Sequence, residues 1–348
     1  MGWGSTNSTD YNTAVQHLHQ TGQTFARSAN VAQTGNYSDV ADILNPRKLK
    51  NGMRESCFAP GFKDVKPIIV SLDCTGSMEQ VPYHVQTELA KMIDLLIEQG
   101  VTEHPNILFM AHDDEHCFPD AVFQMSQFEI ATAPLIEALN EMVIPGYGGG
   151  NQGEAYHLSF YAAARHTRLE SYEHDGEKGF FFMVCDEEPY YGAGDPAKYG
   201  TSPKIAKEVF GDSIEKEVTM LESLKEVCKR YHVFIIRPGH TSNGKNYSIT
   251  KLWQKLLSDA GENPEHVMEV SETEAIISTM VMAIGQTSGV DRNDLVEVLI
   301  AKGATGIQSA IGATKKLTVS DSTALVASTS TTVIKTTDDT RKGGRRRS

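Results

Sequence analysis

Residues 67–78, Pro-Ile-Ile-Val-Ser-Leu-Asp-Cys-Thr-Gly-Ser-Met, indicate the fold most clearly. Their first part is a short apolar run that ends at the carboxylate of Asp73. Pro82 then suits the first turn of a helix, where a missing N–H costs nothing. Apolar residues recur at helical spacing as far as residue 96, and Gly100 ends the pattern. The stretch therefore predicts a buried strand followed by an amphipathic helix.

The same alternation of strand-like and helix-like patterns continues along the chain. Further strands are expected at residues 106–111, 121–125, 179–186, 232–236 and 266–270. Further helices are expected at residues 132–142, 154–167 and 214–229, and from residue 271. Near-continuous apolar strands between amphipathic helices are typical of a mostly parallel sheet with helices on both faces. We therefore predict an α/β domain over residues 63–288, preceded by a polar extension (1–62) and followed by a short helix and a disordered Ser/Thr-rich tail (289–348).

Composition excludes several classes of protein. The 348 residues carry a formal net charge of −13, and five of the 32 basic residues lie in the last eight positions. Binding to a phosphate backbone needs Lys and Arg, so we expect no nucleic acid at the core. No apolar run reaches eighteen residues, so we expect no membrane-spanning helix. Five cysteines without a CxxC spacing indicate a reducing, cytoplasmic compartment.

Polar side chains follow two of the predicted strands at their carboxyl ends, where open α/β sheets bind ligands. Asp73, Thr75 and Ser77 follow the first strand, and Asp186 ends the strand at 179–186. Carboxylates and hydroxyls form an all-oxygen set, which hard cations such as Mg²⁺ prefer. The simpler alternative is a turn and helix cap without a ligand.

The pattern Asp73-x-Thr75-x-Ser77 resembles the metal-ion-dependent adhesion site of von Willebrand factor A (vWA) domains. Asp186 stands where that family carries a later aspartate, and the loop 148–154, Gly-Gly-Gly-Asn-Gln-Gly-Glu, is similar to the family's glycine motif. The run Asp186-Glu187-Glu188-Pro189-Tyr190 resembles a subgroup of bacterial and phage vWA proteins.

The resemblance implies a Rossmann-like vWA fold and a non-catalytic module that binds a partner protein through a divalent cation. Asp73, Thr75, Ser77 and Asp186 would hold Mg²⁺ or Mn²⁺, and a carboxylate of the partner would complete the site. An AAA+ ATPase is one candidate partner, and the setting is the cytoplasm of a bacterium or of a phage-infected host. Tyr190 and Glu187 are predicted to contact the partner.

The glycine loop departs from the family pattern at Gly150, where a threonine ligand is usual. Asn151 and Glu154 are the nearby candidates to replace it. Glu154 also begins a predicted helix, where the helix dipole favours a carboxylate without any metal.

Two rival functions use the same residues. One is a metal-dependent hydrolase with Glu187 or Glu188 as base, and the other is a structural or virion component whose metal site is vestigial. The run at residues 112–117, His-Asp-Asp-Glu-His-Cys, has the look of a transition-metal cluster, but we interpret it as a polar loop at the same sheet edge.

Overall fold

The computed structural model describes residues 25–34, 40–58, 64–78, 80–113, 123–144, 153–190, 195–241 and 246–317, with residues 13, 16, 17, 20 and 244. The strands in these residues are, in chain order, β1 (Arg54–Ser56), β2 (Val65–Asp73), β3 (His104–His112), β4 (Phe123–Met125), β5 (Thr167–Leu169), β6 (Gly179–Val184), β7 (Gly200–Thr201), β8 (Val218–Thr219), β9 (Tyr231–Pro238) and β10 (Val267–Val270). The helices are α1 (Ala26–Thr34), α2 (Val81–Glu98), α3 (Thr132–Glu141), α4 (Tyr156–Arg165), α5 (Glu170–Asp175), α6 (Pro203–Ile205), α7 (Met220–Arg230), α8 (Tyr247–Ala260), α9 (Ala275–Thr287), α10 (Arg292–Ala301) and α11 (Ile307–Ala313).

The central sheet has six strands in the order β10-β9-β6-β2-β3-β4. All neighbours are parallel except β4, which runs antiparallel to β3 at one edge. From β2 the chain builds outward through β3 to β4, then returns to the other side of β2 to add β6, β9 and β10. The strand order therefore reverses between β2 and β6, which is where open α/β sheets place their ligands.

Apolar side chains cover both faces of this sheet. Ile68, Val70 and Leu72 of β2 pack in one core with residues of α2 and α9. Ile69 packs on the opposite face with residues of α4, α7 and α8, including Trp253. Burial of each such side chain is worth about 1.5–3 kcal/mol. Because β2 is covered on both sides, its end is a rigid platform for the residues that follow.

The predicted α/β class and mostly parallel sheet are confirmed, while several boundaries differ. Helix α7 begins at Met220, six residues later than expected, because Thr219 and Glu222 form the capping box there. Helix α9 begins at Ala275 without a side-chain cap, because a turn over residues 271–274 separates it from β10. The helices that were not predicted are α1, α5, α6, α8 and α11.

The packed structure also extends beyond the predicted domain limits. In the N-terminal extension, β1 pairs with β5, and Leu44 is buried in the core. After residue 288, Leu295 and Leu299 of α10 are buried against the same core. The Arg292 guanidinium donates to the carbonyl of Thr314, which ties α10 to the end of α11. The expected boundary at residue 288 is therefore too early, and the compact unit continues to about residue 317.

Cys57, Cys74, Cys185 and Cys228 are all free thiols. Within the described part of the chain, no helix is long and apolar enough to cross a membrane.

Candidate functional site

Asp73 is the last residue of β2, and its carboxylate is fully buried. Its Oδ1 accepts hydrogen bonds from the Thr75 backbone N–H (2.9 Å) and from the Thr75 hydroxyl (2.6 Å). Its Oδ2 accepts a hydrogen bond from the hydroxyl of Tyr156, the first residue of α4, at 2.7 Å. Three donors from two elements therefore hold this carboxylate in one orientation.

Asp186 lies two residues past the end of β6 and is also fully buried. The Ser77 hydroxyl donates to Asp186 Oδ1 at 3.0 Å, and it lies 3.3 Å from the Thr75 hydroxyl oxygen. The two hydroxyls thus lie between the two carboxylates, and each donates its single proton to one of them. Asp186 Oδ2 is buried and has no hydrogen-bond partner among the described residues.

The fold brings this cluster together at the point where the strand order reverses. β2 and β6 are neighbours, with Leu72 in register with Val184, so their carboxyl ends emerge side by side. Ser77 sits on a short 3₁₀ turn, Gly76–Met78, and is exposed. The cluster is therefore closed beneath by the sheet and reaches the surface at Ser77.

Two buried side chains fix the backbone on the Asp186 side. The Arg237 guanidinium, at the end of β9, donates to the Asp186 carbonyl at 2.8 Å and to the Asn246 carbonyl at 3.1 Å. The Trp253 indole N–H, on α8, donates to the Glu187 carbonyl at 3.1 Å. Both side chains are fully buried, so the loop that carries Asp186 is anchored to β9 and α8.

The electrostatics of the cluster reflect two carboxylates buried close together. The pKa of Asp73 is raised to about 7, first by burial and then by the charge of Asp186, against hydrogen bonds from Thr75 and Tyr156 that lower it. The pKa of the Tyr156 hydroxyl is raised well above its usual value, mainly by burial and then by Asp73. Negative charge at this site therefore lacks full compensation from the hydrogen bonds that surround it.

Glu154 is buried beside the same edge of the sheet, just before α4. Its backbone N–H donates to the Glu188 carbonyl at 3.1 Å, and it forms an isolated parallel bridge with Pro189. The preceding Gly153 has φ +89°, and a Cβ there would lie 3.1 Å from the Tyr190 backbone. Glycine is therefore needed where the two loops approach each other, and a cation-binding role for Glu154 stays a prediction.

Of the two residues predicted to contact a partner, Tyr190 is only 5% exposed, and its ring lies 5.3 Å from that of Tyr199. Glu187 is half-buried and leaves more of its surface accessible. Asn151 and Gly150 lie outside the described residues.

The predicted His-rich run contributes a buried histidine next to the cluster. His112 ends β3, and its Nδ1 lies 3.2 Å from the Ser159 hydroxyl oxygen and 3.4 Å from that of Ser71. Burial, followed by the nearby His157, lowers the pKa of His112 to about 3, so its ring is neutral. Residues 114–117 of the run lie outside the described residues.

Comparison with known proteins finds little. No family model matches the chain, and no curated protein matches it. Two crystal structures of the pilus adhesin SpaC from Lactobacillus rhamnosus GG, one in an open conformation, match it at 13% and 12% identity. They cover 67% and 68% of this chain, which spans about a third of the adhesin chains (31% and 32%), with a TM-score of 0.44 for each. A TM-score this low supports no conclusion about what the chain does.

These findings correct the family assignment. The chain was expected to be a vWA protein with a metal-ion-dependent adhesion site, yet no family model matches it. In the described residues, moreover, no group of three or more His, Cys, Asp and Glu side chains could hold a metal ion. The vWA assignment is therefore wrong. The cluster itself has two carboxylates, so further ligands would be the two hydroxyls, the nearby Glu154 or groups outside the described residues.

Sequence reasoning missed three residues of the site: Tyr156, Arg237 and Trp253. The helix that carries Trp253 had a readable signal, because Ile249, Trp253, Leu256 and Leu257 recur at helical spacing before Gly261. No comparable signal exists for the hydroxyl of Tyr156, since its contact with Asp73 spans 83 residues of the chain.

Proposed function

We propose that Asp73, Thr75, Ser77 and Asp186 bind a divalent cation, Mg²⁺ or Mn²⁺, and that a carboxylate of a partner protein completes its coordination. One observation carries this proposal: at the switch point of the sheet, two fully buried carboxylates accept hydrogen bonds from the hydroxyls of Thr75 and Ser77, whose oxygens lie 3.3 Å apart.

The donor set fits a hard cation. All the candidate ligand atoms are carboxylate or hydroxyl oxygens, and Mg²⁺ usually takes one or two protein carboxylates and retains several waters. The buried Oδ2 of Asp186, with no hydrogen-bond partner among the described residues, is an oxygen that a cation would satisfy. A bound cation would supply positive charge between the two carboxylates.

The open side of the cluster supports a binding function. Ser77 is exposed, so a ligand from another molecule can approach from this side, and the half-buried Glu187 follows Asp186 in the chain. A charge-assisted contact with a partner carboxylate would confer specificity more than raw affinity. We place the protein among non-catalytic binding modules. The rival hydrolase requires Glu187 or Glu188 as a general base.

The proposal includes the cellular compartment in which the protein works. Four free cysteines in the described part of the chain support a reducing cytoplasm, in a bacterium or a phage-infected host. An AAA+ ATPase has no support as a partner beyond the family resemblance that has been corrected.

Calorimetric titration of Mg²⁺ and Mn²⁺ into the full chain tests the cation site. Asp186→Asn keeps the size of the side chain and removes its charge, so we expect at least a tenfold loss of affinity. Asp259→Asn is the matched control, because Asp259 forms an exposed ion pair with Lys255 on α8. Equal cation binding by wild type and Asp186→Asn would contradict the proposal.

The partner is tested by capture on immobilised protein in Mg²⁺ and in EDTA. A genuine partner is retained by wild type in Mg²⁺ and lost both in EDTA and in Asp186→Asn. If the partner is retained equally in Mg²⁺ and EDTA, and equally by wild type and Asp186→Asn, the site is not the binding surface. Release of product from phosphoester or peptide substrates in Mg²⁺, lost in Asp186→Asn, would favour the hydrolase.

A further inference from the structure

A second site lies at the amino ends of the central strands, opposite the cluster at Asp73 and Asp186. A cavity of about 500 Å³ opens at the amino ends of β2, β6 and β9, next to the last residues of α2 and α9. It is lined by Lys66, Gly100, Val101, Gly176, Glu177, Lys178, Phe180, His232, Thr287, Ser288 and Val290. Nothing in the proposed cation function uses these residues.

The register of the sheet places two lysines side by side at this cavity. Ile68 of β2 pairs with Phe180 of β6, so Lys66 and Lys178, each two residues earlier, are neighbours on adjacent chain segments. Phe180 in turn pairs with His232 of β9. Lys66, Phe180 and His232 share the face of Ile68, which α2 and α9 cover, whereas the Lys178 ammonium reaches toward the end of α7.

The charge of the lining is positive. Lys66 forms an ion pair with Glu177, and Lys178 donates to the Cys228 carbonyl at the end of α7 at 2.7 Å. Each ammonium has three donors, and among the described residues each has one acceptor. The lining thus holds two ammonium groups and one carboxylate, and each ammonium has donors beyond the one that these contacts use. The backbone carbonyls at the ends of α2 and α9 repel an anion, but they carry only partial negative charges.

Two further groups in the lining indicate a ligand. The Ser288 hydroxyl is buried and has no hydrogen-bond partner within the described residues. The pKa of His232 is lowered to about 4 by burial and then by Lys178, His266 and Lys66, so its ring is neutral and can accept or donate a hydrogen bond. The ring of Phe180 adds an apolar wall.

We propose that this cavity binds a small organic oxyanion, with its phosphate or carboxylate head held by Lys66, Lys178 and Ser288 and its body packed on Phe180. The volume suits a ligand of modest size, since ligand pockets usually span roughly 300–1,000 Å³. The site is separate from the cluster at Asp73 and Asp186, which lies at the other end of the same strands.

The proposal is tested by titrating three probes into the full chain and monitoring their binding by NMR. Phenyl phosphate and benzoate carry the two head groups, and benzyl alcohol is their neutral counterpart. We expect at least one anion to bind saturably, to shift the His232 ring signals and to weaken as salt rises. Benzyl alcohol is expected to bind at least tenfold more weakly. Whichever anion binds more tightly identifies the head group.

Variants separate this site from non-specific binding. Lys178→Gln and Ser288→Ala should each weaken the anion at least fivefold. Lys255→Gln, an exposed lysine on α8, should leave it unchanged. Lys178→Gln loses a contact with α7 and could fold poorly for that reason. Ser288→Ala lacks this problem, so it tests the site independently. No saturable binding of either anion, equal binding of benzyl alcohol, or unchanged affinity in both site variants would overturn the proposal.

Discussion

Replacing Asp73 by asparagine removes one of two charges buried together, and the structure predicts its effect on stability. The pKa of Asp73 is raised from 3.8 to about 7, and the side chain is fully buried, so solvent does not screen this shift. A difference of about 3 units corresponds to roughly 4 kcal/mol at pH values above 7. Because the buried amide of the introduced asparagine keeps part of the cost of burying a polar group, we expect Asp73→Asn to be more stable than wild type by about 2 kcal/mol at pH 8 without cations.

The geometry allows this gain. The amide oxygen of the introduced asparagine would still accept the two hydrogen bonds from Thr75, and its NH₂ group could donate to the Tyr156 oxygen, whereas the Asp73 carboxylate accepts from it. The same variant should lose any stabilisation by Mg²⁺, which for wild type equals RT ln(1 + [Mg²⁺]/Kd). Asp73→Asn would therefore be more stable and less functional than wild type.

The pH dependence of the gain has a definite sign. A carboxyl whose pKa is raised on folding binds a proton more tightly in the folded state, so wild type loses stability as pH rises from about 4 to about 7. The amide of the variant does not titrate in this range. The stability of the variant relative to wild type should therefore rise by about 2 kcal/mol between pH 5 and pH 8, from near equality to the full advantage.

Urea unfolding in EDTA at pH 5 and pH 8 measures the stability difference between variant and wild type and its change with pH. Asp259→Asn serves as the control for removing an exposed aspartate. The reasoning is refuted if Asp73→Asn is less stable than wild type at pH 8, or if its advantage shrinks as pH rises.

Three other predictions concern the surroundings of the site and the ends of the fold. Trp253→Phe leaves the Glu187 carbonyl without its indole donor, so urea unfolding should show a loss of about 1–3 kcal/mol, and calorimetry a weaker affinity for Mg²⁺. Gly306→Ala should destabilise far more than Gly303→Ala, because both have φ +63° but only the Cβ at 306 would fall 2.4 Å from the Ala275 backbone; equal unfolding free energies would contradict this. A chain ended after residue 317 should keep the stability of the full chain, whereas one ended after residue 290 should lose several degrees in Tm, because Leu295 and Leu299 are buried.

Much of the architecture could be read from local patterns. The helix α2 was predicted almost to its ends, because Pro82 and Gly100 mark its limits and apolar residues recur at helical spacing between them. The start of α7 was placed too early, because the apolar positions begin before Thr219, whose hydroxyl accepts from the Glu222 backbone and starts the helix there. The end of the packed unit was misjudged, since the short helices α10 and α11 gain their stability from contacts with α9 rather than from their own sequence.

The family assignment shows the limit of motif reading. A short pattern such as Asp73-x-Thr75-x-Ser77 specifies side chains at a strand end, and the structure does bring Asp73 and Asp186 to one site. The pattern cannot establish descent or a complete ligand set, and in the described residues only two carboxylates meet there.

The sequence by itself determined the α/β class, the buried strand that ends on Asp73 and the oxygen-rich turn that follows it. These depend on periodicity and turn chemistry, which act over a few neighbouring residues. Only the tertiary structure decided that the Ser77 hydroxyl reaches a carboxylate 109 residues away, that Tyr156 and Arg237 secure the two aspartates, and that two lysines line one cavity at the amino ends of the strands. Those contacts depend on which strands pair and in what register, and pairing is set by burial summed over the whole chain, which no local pattern encodes.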